Sequence, residues 1–246
     1  MRLRKPPLVI PILLAAVLVG VLRSIPFSHV PTVLAATAAA GARRAYTTGF
    51  PFTENPISER GEWSNGKSAA LDWADVATAP GRAFGLESGS NGYDDSTALL
   101  TGNWEPDQTV QATVYTVNQN DKIWEEVELR LRSGLSAHNA SGYEINFRCL
   151  KTKDAYSEIV RWNGPLGSFT YLQQLKGAQF GVANGDVVKA TIVGKVITTY
   201  INGVQIGQAT DGTYATGQPG IGFFLQGVSG VNRDYGFTRF EAHGER

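Results

Sequence analysis

Apolar and polar residues alternate with a period of two along most of the chain. Val127, Leu129 and Leu131 alternate with Glu126, Glu128, Arg130 and Arg132. Tyr143, Ile145, Phe147 and Cys149 alternate with Glu144, Asn146 and Arg148. A strand places successive side chains on opposite faces, so each stretch predicts one dry face and one wet face. Further strands are expected over Thr109–Thr116, Ala155–Trp162, Ser168–Leu172, Val187–Val193, Lys195–Ile201, Gly220–Leu225 and Tyr235–Ala242. Asn-Gly occurs at 65–66, 91–92, 163–164, 184–185 and 202–203. Both residues tolerate the positive φ of a two-residue hairpin, and Ile201-Asn202-Gly203-Val204 between two β-branched runs is the clearest case. Ser68–Val76 has a helix-compatible composition, but Pro80-Gly81 follows and the segment reads as extended. The expectation is an all-β chain folded as an antiparallel two-sheet β-sandwich over residues 46–246.

The first 42 residues follow other rules. Arg2, Arg4 and Lys5 precede an apolar run from Leu8 to Leu22, and small residues follow around Ala35–Ala42. A run of about fifteen suits a secretory signal better than a spanning helix of about twenty. A secreted or otherwise extracytoplasmic protein is expected, with a membrane role only if this segment stays as an uncleaved anchor. The whole chain has 22 basic and 22 acidic residues. Loss of the segment removes four basic residues and leaves 18 against 22. That balance lacks the footprint of a nucleic-acid binder. One Cys and three His exclude an internal disulfide and leave few ligands for a zinc centre.

The segments Lys189–Gly203 and Gly217-Gln218-Pro219-Gly220-Ile221-Gly222-Phe223 resemble the concanavalin A-like lectin/glucanase jelly rolls, the group that includes laminin G-like domains. The resemblance implies a jelly-roll sandwich and a carbohydrate ligand. The catalytic signatures of that group are incomplete here. The glucanase pattern Glu-x-Asp-x-x-Glu meets Glu126-Val127-Glu128-Leu129-Arg130-Leu131, with Leu131 in the last place. The lyase pattern Gln-(Ile/Val)-His meets Gln205-Ile206-Gly207, and Arg-x-Glu meets only Arg60-Gly61-Glu62.

Site chemistry is therefore sought on the polar strand faces. Glu126 and Glu128 stand roughly 6.5–7 Å apart on one strand face, a separation that carboxylate pairs use in glycoside hydrolysis. With Glu144 and Arg148 they are the candidate catalytic residues. Arg130, Asn146, Arg161, Trp162 and Tyr171 are the candidate ligand-binding residues, offering guanidinium and amide donors and aromatic planes to a sugar. For a lyase, Tyr143, Tyr156, Tyr171 or His138 would accept the proton. The plain alternative is a solvated strand face with surface ion pairs of little worth. No metal centre is expected and no cofactor, although Asp94-Asp95 could ligate a structural Ca²⁺. Cys149 falls on the apolar side of its strand. The leading expectation is an exported polysaccharide-binding domain; a polysaccharide lyase or retaining glycoside hydrolase, or a laminin G-like protein-binding domain, are the alternatives.

Overall fold

Alternating stretches this long can bury their apolar faces only against one another, and the computed structural model pairs them accordingly. It describes residues 43–90, 92–227 and 229–245, so the expected signal segment and Asn91 of one expected turn lie outside the described residues. In chain order the strands are β1 (Ala45–Thr48), β2 (Trp63–Asn65), β3 (Val76–Ala79), β4 (Arg82–Gly85) and β5 (Ser96–Leu100). Next come β6 (Asp107–Thr116), β7 (Trp124–Ser136), β8 (Asn139–Arg148), β9 (Tyr156–Gly164) and β10 (Phe169–Lys176). The last are β11 (Val187–Val193), β12 (Val196–Ile201), β13 (Val204–Thr210), β14 (Gln218–Gln226) and β15 (Tyr235–Glu245).

Two antiparallel sheets result. One has the order β13-β12-β11-β6-β15-β4-β3, with β1 also on β15; the other runs β10-β9-β8-β7-β14-β5-β2. Between them lie the odd-numbered residues of β7 and β8, Val127, Leu129, Leu131, Tyr143, Ile145 and Phe147, against Val110, Ala190, Ile197, Phe237 and Phe240 of the facing sheet. Each fully buried aliphatic or aromatic side chain contributes about 1.5–3 kcal/mol, which makes this layer the main source of stability. Cys149 is buried in the same layer, where loss of solvation pushes its thiol up. That is the setting of a small core residue rather than a nucleophile.

The Asn-Gly hairpin forms as read. Asn202 has φ 50° and Gly203 φ 79°, joining β12 to β13 through two left-handed residues. Ser68–Val76 is neither a helix nor a strand: a single 3-10 turn at Lys67–Ala69 ends at Ala70 in the left-handed region, and irregular chain leads into β3. Among the described residues no helix is long and apolar enough to cross a membrane.

Candidate functional site

The even-numbered residues of β7, β8 and β9 point away from the facing sheet. Register aligns them in rows: Glu126 opposite Arg148, Glu128 opposite Asn146, Arg130 opposite Glu144, and Asn146 opposite Glu158. Tyr156, Val160 and Trp162 of β9 complete this outer face. The alternation suggested a solvated surface, and here the structure corrects it. Asp95, Glu126, Glu128, Arg130, Glu144 and Asn146 are all buried. The cover comes from chain remote in sequence. The 3-10 segment after β2 lays Leu71 and Trp73 on Ala140, Val160 and Trp162, and Tyr93 of the β4–β5 connection packs edge-on against Phe169 at 5.0 Å.

What stays open is a cleft of about 290 Å³. Its floor carries Asp95, Glu126, Glu128, Glu144, Asn146 and Glu158, and its aromatic lining includes Tyr93, Trp124, Trp162, Phe169 and Tyr171. Trp124 and Tyr171 are 37% and 45% exposed, whereas Trp162 is 3% exposed and forms part of the inner wall. At the base, Arg130 donates from Nη2 to Glu128 at 2.5 Å and to Asp95 at 3.3 Å, and its Nη1 lies 2.7 Å from Glu144. Trp73 lies over its guanidinium at 5.3 Å, and Trp73 and Trp162 are in contact at 4.2 Å. Glu144 accepts from Trp162 Nε1 at 2.5 Å. Higher in the cleft, Tyr156 donates its hydroxyl to Glu126, and Glu158 accepts from Gln174 at 2.7 Å and Asn146 at 3.2 Å.

Burial sets the protonation of this cluster. Loss of solvation, reinforced by neighbouring carboxylates, pushes Glu126 and Glu128 well above the usual carboxylate range. Asp95 is pushed up to about 8 by burial and by Glu144, against the pull of Arg130. Glu158 is also raised, mainly by burial. The guanidinium of Arg130, surrounded by carboxylates, is held firmly charged.

The sequence candidates divide between the two faces. Glu126, Glu128, Glu144, Asn146, Trp162 and Tyr171 all line the cleft, with Arg130 beneath it. Arg148 does not line this cleft. Its guanidinium donates to the carbonyls of Asp121, Ile123 and Asp154, each at 3.0 Å, and ties the β6–β7 and β8–β9 loops together. Arg161 is adjacent to Trp162 on β9 and therefore faces the other way, where it pairs with Asp211 at 2.6 Å. Arg132 breaks the expected row as well. A bulge shifts the β7–β8 register between Leu131 and Gly134, Arg132 takes φ 45°, and its side chain turns to Pro106, Asp107 and Tyr214. Tyr143 stays on the inner face with Asp211, and His138 sits at the β7–β8 turn on Asp72.

Several cleft residues were not singled out from the sequence. Glu158 shares the even parity of Trp162 and was legible in the alternation. Gly222 had been read as part of a scaffold motif, yet it lies opposite Glu128 in the ladder, and a Cβ there would overlap Glu128 Oε2 and press on Arg130. Gly222→Ala is therefore expected to destabilise the domain by about 1–3 kcal/mol, through displacement of two paired side chains. A shift in the urea denaturation midpoint checks this; an unchanged midpoint would mean the cluster has slack.

The carboxylates of Asp95, Glu128 and Glu144 each place an oxygen within 4.8 Å of the others, a spacing that a divalent cation could bridge. Ca²⁺ requires oxygens at about 2.3–2.6 Å. Arg130 already lies among these three groups and contacts each of them, so the residues present fit a guanidinium better than an ion. Of the expected Ca²⁺ pair, Asp95 belongs to this cluster and Asp94 does not.

No protein-family model matches the sequence, and no curated protein matches it. Solved structures do resemble the fold. The exoplasmic/lumenal domain of VIP36 in its metal-free form aligns with a TM-score of 0.57 at 11% identity, over 83% of this chain and 94% of that one. The same domain in its Ca²⁺/Man3GlcNAc-bound form aligns at 0.53 and 11% identity, over 75% and 84%. A mutant of the GH43 protein BlXynB from Bacillus licheniformis aligns at 0.51 and 13% identity, over 81% of this chain but 39% of that one. The fold is the concanavalin A-like jelly roll. In this jelly roll the cleft lies on the outer face of the seven-stranded sheet, walled on one side by the connection before β5.

Proposed function

We propose that the chain is an exported glycan-binding protein whose ligand lies in the cleft over β7, β8 and β9. The observation that carries this reading is the combination of exposed aromatic planes, Trp124 and Tyr171, with a floor of carboxylate and amide acceptors. Sugar rings offer an apolar C–H face to the former and hydroxyl donors to the latter. That the same fold holds Man3GlcNAc in the VIP36 domain supports the ligand class. Trp124, Tyr156 and Glu158 also line a neighbouring depression of about 470 Å³, which gives a longer chain somewhere to continue.

Affinity electrophoresis of the full chain through gels containing neutral, cationic and acidic polysaccharides tests the proposal. At least one neutral or cationic polysaccharide is expected to retard it, and Trp124→Ala or Tyr171→Ala is expected to weaken retention about tenfold. Retention by none, or retention that both variants leave intact, would sink the reading.

A second reading, a retaining or inverting glycoside hydrolase, is favoured by one observation. Burial holds Glu126 well above the usual carboxylate range, and it shares the cleft with the more open Glu158, which offers a candidate acid and a candidate nucleophile or base. Release of reducing ends that Glu126→Gln abolishes would establish it. The lyase alternative is disfavoured, because among the described residues no lysine or arginine lines the cleft to neutralise a uronate.

A further inference from the structure

The cleft gathers more acidic groups than basic ones. Asp95, Glu126, Glu128, Glu144 and Glu158 line it, and the one guanidinium beneath them is shared among three. A second observation is independent of that count. Glu128 is 0% exposed and lines the cleft, and its Oε1 has no hydrogen-bond partner although Oε2 is held by Arg130. A buried acceptor left in this state is costly, and a donor on the ligand would recover that cost. The walls add a third. Tyr93, Trp124, Phe169 and Tyr171 surround the acids, and ring faces attract cations most strongly where water is excluded.

Ring faces and carboxylates converging on one space are the chemistry of ammonium recognition. A hydroxyl would use the acceptors alone, whereas an ammonium would also stabilise the ionised forms of these buried acids, which release protons as it binds. A uronate would add another carboxylate to five. Resting on the glycan reading above, we infer that the cleft selects a cationic group, so that the bound glycan carries free amino groups as ammonium, as a polymer of glucosamine does. N-acetylation would remove the charge and two of the three N–H donors of each ammonium.

Calorimetric titration of the full chain near neutral pH tests this with four probes: a glucosamine tetramer, its fully N-acetylated counterpart, a neutral glucose tetramer and tetramethylammonium. The glucosamine tetramer is expected to bind about tenfold or more tighter than either other sugar, the scale of a desolvated cation–π contact. Glu158→Gln is expected to bring the ratio towards one. Glu158 is only partly buried and its contacts are to Gln174 and Asn146, so the variant should fold, and Tyr171→Ala provides a second variant at an exposed ring. Equal or tighter binding of the acetylated or neutral sugar would overturn the inference while leaving the glycan reading intact. Binding of tetramethylammonium alone, weakened by Glu158→Gln, would uphold the cation site and remove the sugar. Binding of none would overturn both.

Discussion

Arg130→Met is expected to destabilise the domain by about 3–5 kcal/mol, the usual cost of removing one partner from a buried charge cluster. Methionine has a similar length and would fill much of the space under Trp73, so lost packing is not the main term. The main term is electrostatic. Asp95, Glu128 and Glu144 would lie buried within 4.8 Å of one another with no positive charge among them. Protons can partly replace the guanidinium, so the loss should be larger at pH about 8 than at pH about 5. Urea denaturation of both proteins at the two pH values measures it. A difference below about 1 kcal/mol at the higher pH would mean that the cluster does not depend on Arg130. The companion variant Asp95→Asn with Glu128→Gln removes acids together with their need for a cation, and in the Arg130→Met background it should recover part of the stability.

The parent protein is itself expected to lose stability as pH rises from about 5 to about 8. In the folded chain Asp95 keeps its proton up to about 8, and Glu126 and Glu128 are held well above the usual carboxylate range. In the unfolded chain these groups ionise near pH 4. Folding therefore takes up protons over this window, and each proton retained makes stability fall by about 1.4 kcal/mol per pH unit. The contribution is complete below the unfolded values and disappears as pH climbs through the folded ones. Asp211 acts in the opposite sense: hydrogen bonds from Thr213, Tyr143 and Arg161 hold it at about 2 despite partial burial, so its support is lost only in stronger acid. The stability maximum is expected between these limits, near pH 4–5. A series of urea midpoints across pH would reveal it, and Asp95→Asn should flatten the alkaline side by up to one proton's slope. A midpoint that rises steadily from pH 5 to 8 would show that these carboxylates are ionised in the folded state.

The two predictions depend on the same feature, and it is the one that strand periodicity concealed. Alternation assigned Glu126, Glu128, Arg130, Glu144 and Asn146 to one face correctly, because the pleat of a strand fixes side-chain direction locally. It assigned Arg148 to that face too, but the use of its guanidinium by three loop carbonyls is a matter of where distant loops end. It failed for Arg132, because a bulge inserts a residue without a signature in the apolar pattern. Arg161 was grouped with Trp162 by proximity in sequence, although neighbours in a strand face opposite ways.

From the sequence alone, then, came strands β6 to β12, β14 and β15, the Asn202-Gly203 turn and the parity of the acidic face, all set by interactions between residues close along the chain, whereas the short strands β1 to β5 were missed. The burial of that face was decided only in three dimensions. Trp73, Asp95 and Thr97 reach it from segments tens of residues away, and Gly222 makes room for Glu128 and Arg130 from a neighbouring strand. A period of two states which side a residue is on; what covers that side depends on long-range packing, and it is the cover that turns a polar surface into a cleft of buried carboxyl groups around one arginine.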